Sequence, residues 1–185
     1  MPKILKNHYT SGFTLIEMLV AISLFAAVVA ISAGAYLAIM KAQLKSINMK
    51  KVQEDSRYAS ETIGREFRMG EVDYSYYGEE VPSPTSTLVL INSRGTEIKF
   101  RLVSERLEKK VGDGSFIPLT QENIKVTDLK FYISPLTDPF VEGGPNIQPR
   151  VTICLTAEAK GSGVSVQGSE VVLQDTISSH VYKMR

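Results

Sequence analysis

Glu17 stands alone among Phe13, Thr14, Leu15, Ile16 and Met18, at the head of a run that carries no other charge until Lys41. A carboxylate in such a setting is costly in hydrocarbon unless a cation partners it, so the chemistry it offers is charge pairing. Other reactive residue types are few. The histidines are His8 and His180, and neither stands in a G-x-S-x-G or H-E-x-x-H context that would orient a nucleophile or a metal. His180 reads as a surface residue at a strand end. The single cysteine, Cys154, has no partner for a bridge within the chain and reads as a small buried apolar residue. Asp138 and Glu142, with Gly143 and Gly144, have the hard oxygen donors that calcium prefers, but their spacing is not that of an EF-hand and a plain loop is expected. Tyr74, Tyr76 and Tyr77 are a candidate adhesive or stacking patch. Their neighbours Glu71, Asp73, Glu79 and Glu80 disfavour nucleic acid there, and packing at a helix-to-sheet junction is the expectation. No cofactor, no metal and no catalysis are expected.

The elements that must position these residues follow from patterning. Residues 18–40, MLVAISLFAAVVAISAGAYLAIM, are uncharged and as a helix reach about 35 Å, enough to cross a bilayer. Lys3 and Lys6 precede the run, and Lys41, Lys45, Lys50 and Lys51 follow it, so basic flanks alone do not set orientation. A secretory signal cut near Ala33-Gly34-Ala35 is the competing reading, but the run exceeds the roughly 7 to 15 apolar residues of such signals and opens on Glu17. Beyond it, Val52, Ser56, Ala59, Ile63 and Phe67 advance by helical steps as one narrow stripe. Lys51 with Asp55, Arg57 with Glu61, and Glu61 with Arg65 stand at i,i+4 spacing on what should be a solvated face. No proline interrupts residues 13–77, so one helix is expected from about Phe13 to Met69 or Gly70.

A breaker cluster, Pro82-Ser83-Pro84-Thr85, then introduces alternating runs. Ile98, Phe100 and Leu102 alternate with Lys99 and Arg101. Leu129, Phe131 and Ile133 alternate with Lys130 and Tyr132, and Val151, Ile153, Leu155 and Ala157 with Thr152, Cys154 and Thr156. Turn chemistry at Gly112-Asp113-Gly114, across 135–149 and at Gly161-Ser162-Gly163 predicts hairpins and an antiparallel sheet packed on the helix stripe, an α+β fold. The length allows one modest domain plus an accessory element. The expected divisions are 1–12, 13–40, 41–70 and 71–185. A net charge of +1, from 21 basic and 20 acidic residues, leaves no electrostatic footprint for nucleic acid as a default partner.

Residues 11–20, SGFTLIEMLV, following a short leader with Lys3 and Lys6, resemble the type III signal of the type IV pilin and type II secretion pseudopilin superfamily. In that family the leader ends in Gly, the next residue is most often Phe, and Glu occupies the fifth mature position before an apolar helix. Gly12, Phe13 and Glu17 stand in those places. The resemblance implies that a prepilin peptidase cuts between Gly12 and Phe13 on the cytoplasmic side and methylates the Phe13 amine. The amine of one mature chain is then a cation that the Glu17 of a neighbour can neutralise in a packed array. Family members commonly carry proline at the twenty-second mature position. Gly34 stands there, where glycine is either a helix weak point or a packing surface.

The resemblance extends more loosely to residues 55–72, with Arg57, Ile63, Glu66, Phe67 and Arg68, which look like the helix of minor pilins or of J-type or W-type pseudopilins. The missing cysteine pair and the size of the domain depart from major subunits and favour a minor one. The implied partners are the peptidase, other pilin or pseudopilin subunits, an inner-membrane assembly platform, and membrane lipid before assembly. The implied location is a single-pass cytoplasmic-membrane protein with the sheet domain exported, then a filament serving adhesion or motility, DNA uptake or secretion. The alternative is a membrane-anchored exported binding protein that acts as a monomer.

Overall fold

The computed structural model describes residues 12–141, 144, 146–161 and 169–181. The chain divides into two compact units, Met1–Ala42 and Gln43–Arg185. Helix α1 (Leu15–Met69) supplies the apolar segment of the first and the core helix of the second. Its start is fixed by Thr14, whose hydroxyl accepts the Glu17 N–H at 3.3 Å, the bond by which an N-cap satisfies an orphan donor of the first turn. Every residue from Gly12 to Ala42 is exposed. An uncovered apolar surface of that extent is stable only when lipid or other protein covers it.

In the second unit α1 buries Val52, Ser56, Ala59, Ile63 and Phe67, as the stripe requires, together with Asp55, Ser60, Thr62 and Gly64. The buried face is wider than a narrow stripe because two sheets cover it rather than one. Sheet A is an antiparallel meander in the order β1 (Gly70–Val72), β2 (Thr87–Asn92), β3 (Glu97–Val103), β4 (Arg106–Val111) and β5 (Ile117–Pro118). Sheet B contains β6 (Ile124–Ser134), β7 (Arg150–Ala159) and β8 (Val171–Ser178), also antiparallel, with a bulge in β6 between Val126 and Asp128. Leu88, Leu90, Ile98, Phe100 and Leu107 from sheet A join Phe131, Ile133, Val151, Ile153 and Leu155 from sheet B and the α1 stripe in one apolar cluster. Each such side chain contributes about 1.5 to 3 kcal/mol by leaving water.

Helix and sheet meet without a linker. β1 follows Met69 directly, and Gly70 is the residue that permits it, since a Cβ there would stand 2.9 Å from the Glu66 carbonyl oxygen and 3.0 Å from that of Ile91. Ser179 and His180 close over this junction. The His180 N–H donates to the Arg68 carbonyl at 3.0 Å and the Ser179 hydroxyl to the Gly70 carbonyl at 3.2 Å, satisfying acceptors that a helix end leaves open. The short helix α2 (Tyr74–Tyr77) comes next. The Tyr74 hydroxyl donates to the Pro135 carbonyl, while that of Tyr77 donates to Thr87 and accepts from the Val89 N–H. Burial pushes the Tyr77 phenol up to about 12. Tyr76 remains exposed, with Lys99 Nζ 4.5 Å above its ring. Two of the three tyrosines therefore pack at the junction.

Expectations fail at two residues, one drawn from spacing and one from residue type. Asp55 is not on the solvated face paired with Lys51. It is 5% exposed, and its Oδ2 accepts the Gln121 N–H at 3.1 Å, tying α1 to the segment between β5 and β6. The exposed pairs of this stretch are Arg57 with Glu61 at 2.8 Å and Lys50 with Glu54 at 3.7 Å. Nor is Cys154 a core residue. β7 alternates, so Val151, Ile153, Leu155 and Ala157 take the interior and Cys154 is half-buried on the opposite face, between Lys130 and Gln174.

Burial raises the Asp55 pKa above its ordinary value of 3.8, opposed by the Gln121 bond. A carboxyl with a raised folded-state pKa holds its proton more tightly when folded, so its contribution to stability falls as pH rises through and above 3.8. Asp55→Asn keeps an oxygen for the Gln121 N–H and removes the buried charge. It is expected to melt above wild type at neutral pH, with the gap closing as the scan approaches the ordinary carboxylate range. A gap that widened on acidification would contradict this assignment.

Candidate functional site

The site grows from the residues around the start of α1. Gly12, Phe13 and Thr14 are exposed and outside the helix, so the Gly12-Phe13 peptide is accessible in the way a protease substrate needs to be, with the Phe13 side chain 79% exposed. The leader residues Lys3, Lys6, His8 and Ser11 lie outside the described residues. Glu17 occupies the third helical position, where a carboxylate is favoured by the unpaired N–H groups and the dipole of the first turn. Its backbone N–H is taken by Thr14, but among the described residues its carboxylate makes no ion pair or hydrogen bond. Thr14 and Glu17 have the Ser/Thr-x-x-Glu spacing of a capping box, a signal legible in the sequence that spacing arguments about charge alone overlook.

Around Glu17 the helix surface is apolar on all sides, with Leu15, Ile16, Leu19, Ile22, Phe25 and Ile31 between 57% and 83% exposed. Such a helix is long and apolar enough to cross a membrane. Gly34 lies on it with none of the described residues within 4 Å of where a Cβ would stand. The structure thus brings Gly12, Phe13 and Glu17 together within two helical turns and sets Gly34 further along the same element.

The other candidates do not assemble. His180 is exposed just past β8, and its backbone rather than its ring makes the contact with α1. Asp138 accepts the Phe140 N–H at 2.9 Å, a local loop bond, while Glu142 and Gly143 lie outside the described residues. Among the described residues no group of three or more His, Cys, Asp or Glu side chains is placed to hold a metal ion.

Residues 7–33 match the family model described as the prokaryotic N-terminal methylation motif. The match includes Gly12, Phe13 and Glu17 and ends one residue short of Gly34. No curated protein and no solved structure matches the chain. The matched segment stands at the head of a helix that is long and apolar enough to cross a membrane. The chain carries the N-terminal signal of the type IV pilins and pseudopilins.

Cleavage between Gly12 and Phe13 has a direct readout. In material produced together with a prepilin peptidase, the intact mass is expected to be that of a chain beginning at Phe13 plus one methyl group. A chain beginning after Ala35, or one that keeps its leader, would contradict the assignment.

Proposed function

We propose that this chain is a structural subunit, a minor pilin or pseudopilin, of a type IV pilus-like filament, and that it enters the filament through its N-terminal helix. The observation that carries the reading is Glu17, a carboxylate inside the matched motif and on an uncovered apolar helix, with no partner for its charge among the described residues. Removal of residues 1–12 creates a cation at Phe13. Methylation of that amine leaves it basic, so the mature terminus remains a charge partner. In a bundle of such helices the amine of one subunit and the Glu17 of the next neutralise each other in a low-dielectric setting, where an unpaired charge is most costly.

The remaining roles follow from the same reading. The peptidase, the inner-membrane platform and fellow subunits are the partners, lipid covers residues 13–40 before assembly, and the unit from Gln43 onward is the exported part. Gly34 is the weak point of the helix, or the place where neighbouring helices approach closely. The chain's work is mechanical and adhesive, in motility, DNA uptake or secretion. A minor role is supported by the single cysteine, which leaves no bridge to close a C-terminal loop of the kind many major pilins carry.

Glu17→Ala tests this. Insertion is expected to be intact, because alanine is less costly in lipid than a carboxylate. Entry into filaments is expected to fall, because the neighbour's amine is left uncompensated, at a cost of up to about 3 to 5 kcal/mol where burial is complete. Sheared-filament and membrane fractions at equal expression give the comparison. Equal filament fractions would remove Glu17 as an assembly contact and leave a monomeric, membrane-anchored binding protein as the better account.

A further inference from the structure

The outer face of sheet B is a grid fixed by register. Ser134, Arg150 and Ser178 stand side by side across β6, β7 and β8, and the next outward row is Tyr132, Thr152 and Thr176. Lys130, Cys154 and Gln174 form the row after it. Alternation turns these rows away from the core that Ile133, Val151 and Ile177 enter. The first two rows hold one guanidinium, a hydroxyl at every other position and no carboxylate.

Over these rows lies a hollow of about 450 Å³, lined by Tyr132, Ser134, Arg150, Thr152 and Thr176 and walled on the β6 side by Ser83. The wall is held in place because Thr85 exchanges backbone hydrogen bonds with Phe131 at 2.8 and 2.9 Å. All six lining residues are described and belong to the second unit. Arg150 is exposed, and among the described residues its guanidinium makes no ion pair, whereas Lys130 is held by Asp128 at 2.6 Å. The Thr152 and Thr176 hydroxyls are 2.9 Å apart, a bond that uses one O–H and leaves the second, with unshared lone pairs, for the hollow. The Tyr132 side chain is 41% exposed, so its ring is accessible from outside.

These groups select their ligand by chemistry and by size. A guanidinium with no carboxylate beside it favours an anion, and it takes a carboxylate through two parallel N–H bonds. Hydroxyls both donate and accept, as those of a sugar do, and an exposed phenol offers an apolar plate with a polar tip. Successive rows stand about 7 Å apart along the strands and the three strands span about 10 Å, the footprint of a sugar ring and wider than a single phosphate. We propose that this hollow binds a carboxylated sugar, with the Arg150 guanidinium on its carboxylate, the Tyr132 ring against its ring, and Thr152 and Thr176 on its hydroxyls.

A nucleic-acid strand is the weaker occupant. Its repeating phosphates require repeated free cations, and Lys130, the next cation on this face, is already neutralised by Asp128. The site depends neither on Glu17 nor on assembly into a filament, because both rows belong to the second unit.

The experiment uses the isotope-labelled full-length protein in micelles of a detergent that contains neither sugar nor phosphate. It is titrated with methyl glucuronoside, with methyl glucoside, in which a hydroxymethyl group replaces the carboxylate, and with inorganic phosphate. Saturable binding of the glucuronoside in the millimolar range is expected, with shifts at the amides of Tyr132, Thr152 and Thr176, and the glucoside is expected to bind about tenfold more weakly or worse. Arg150→Gln removes an exposed cation that has no partner, so the melting temperature is expected to hold while glucuronoside affinity falls about tenfold. Tyr132→Phe keeps the ring and is expected to bind nearly as wild type, whereas Tyr132→Ala is expected to bind more weakly. The glucoside comparison on wild type keeps the test decisive if a variant fails to fold. No saturable binding, equal binding of the glucoside, equal binding by Arg150→Gln in folded form, equal binding by Tyr132→Ala in folded form, or shifts confined to other faces overturns the proposal. Phosphate or a single-stranded oligonucleotide binding as tightly as the glucuronoside overturns it too, because the ring and the hydroxyls would then play no part.

Discussion

A single carboxylate on an otherwise apolar helix sets the terms for this molecule. Glu17 cannot be satisfied by its own helix beyond what the first-turn dipole offers, and the described part of the chain gives it no cation. Lipid makes the deficit worse. On the reading proposed above, a processed neighbour removes it, because cleavage ahead of Phe13 would generate a positive charge at the depth where the negative one sits. On this account the removal of the leader is the event that makes the subunit competent to pair, and the apolar helix is kept because it is the surface through which subunits meet.

The second unit is built so that the same helix also organises a soluble fold. Two sheets close over residues 52–67 of α1, which is why the interior there tolerates Asp55, Ser60 and Gly64 beside the aliphatic stripe. Asp55 holds the chain at Gln121, Glu66 pairs with Lys109 of β4 at 2.6 Å, and Ser60 bonds Asp175 of β8 at 3.2 Å. These polar ties fix where each sheet sits on the helix, a specificity that apolar contact alone supplies weakly. Gly64 fits the arrangement by its lack of a side chain, since a Cβ would meet Ile177 Cδ1 at 2.7 Å.

Much of this was legible in the residues, for reasons that differ by element. The apolar run and the stripe announce α1 because a helical period over many residues is a redundant signal, and β3, β6 and β7 show clean alternation. β8 was obscured because Asp175 takes an interior position in its pattern, reached through the bond from Ser60. The β3–β4 hairpin escaped because its turn is made by Ser104 and Glu105, both at positive φ, without the Gly or Asn that usually marks such a turn. Asp55 was misplaced because i,i+4 spacing describes a helix surface and says nothing of how many sheets cover it. For Cys154 the alternation of β7 pointed to the outer face, and residue type was the poorer guide. The methylation motif that contains Gly12, Phe13 and Glu17 was readable because it is linear, carried along one short stretch rather than assembled by the fold. The hollow over Arg150 needed the register of three strands.

The central claim is that Glu17 of one subunit meets the Phe13 amine of another. Filaments assembled from an equal mixture of subunits labelled with ¹⁵N at Phe13 and subunits labelled with ¹³C at the Glu17 carboxyl report on that contact alone, by solid-state NMR magnetisation transfer. The account predicts intermolecular transfer consistent with an ion pair, with nitrogen and oxygen within about 4 Å. Transfer confined to doubly labelled single chains, with none in the mixed sample, would contradict it.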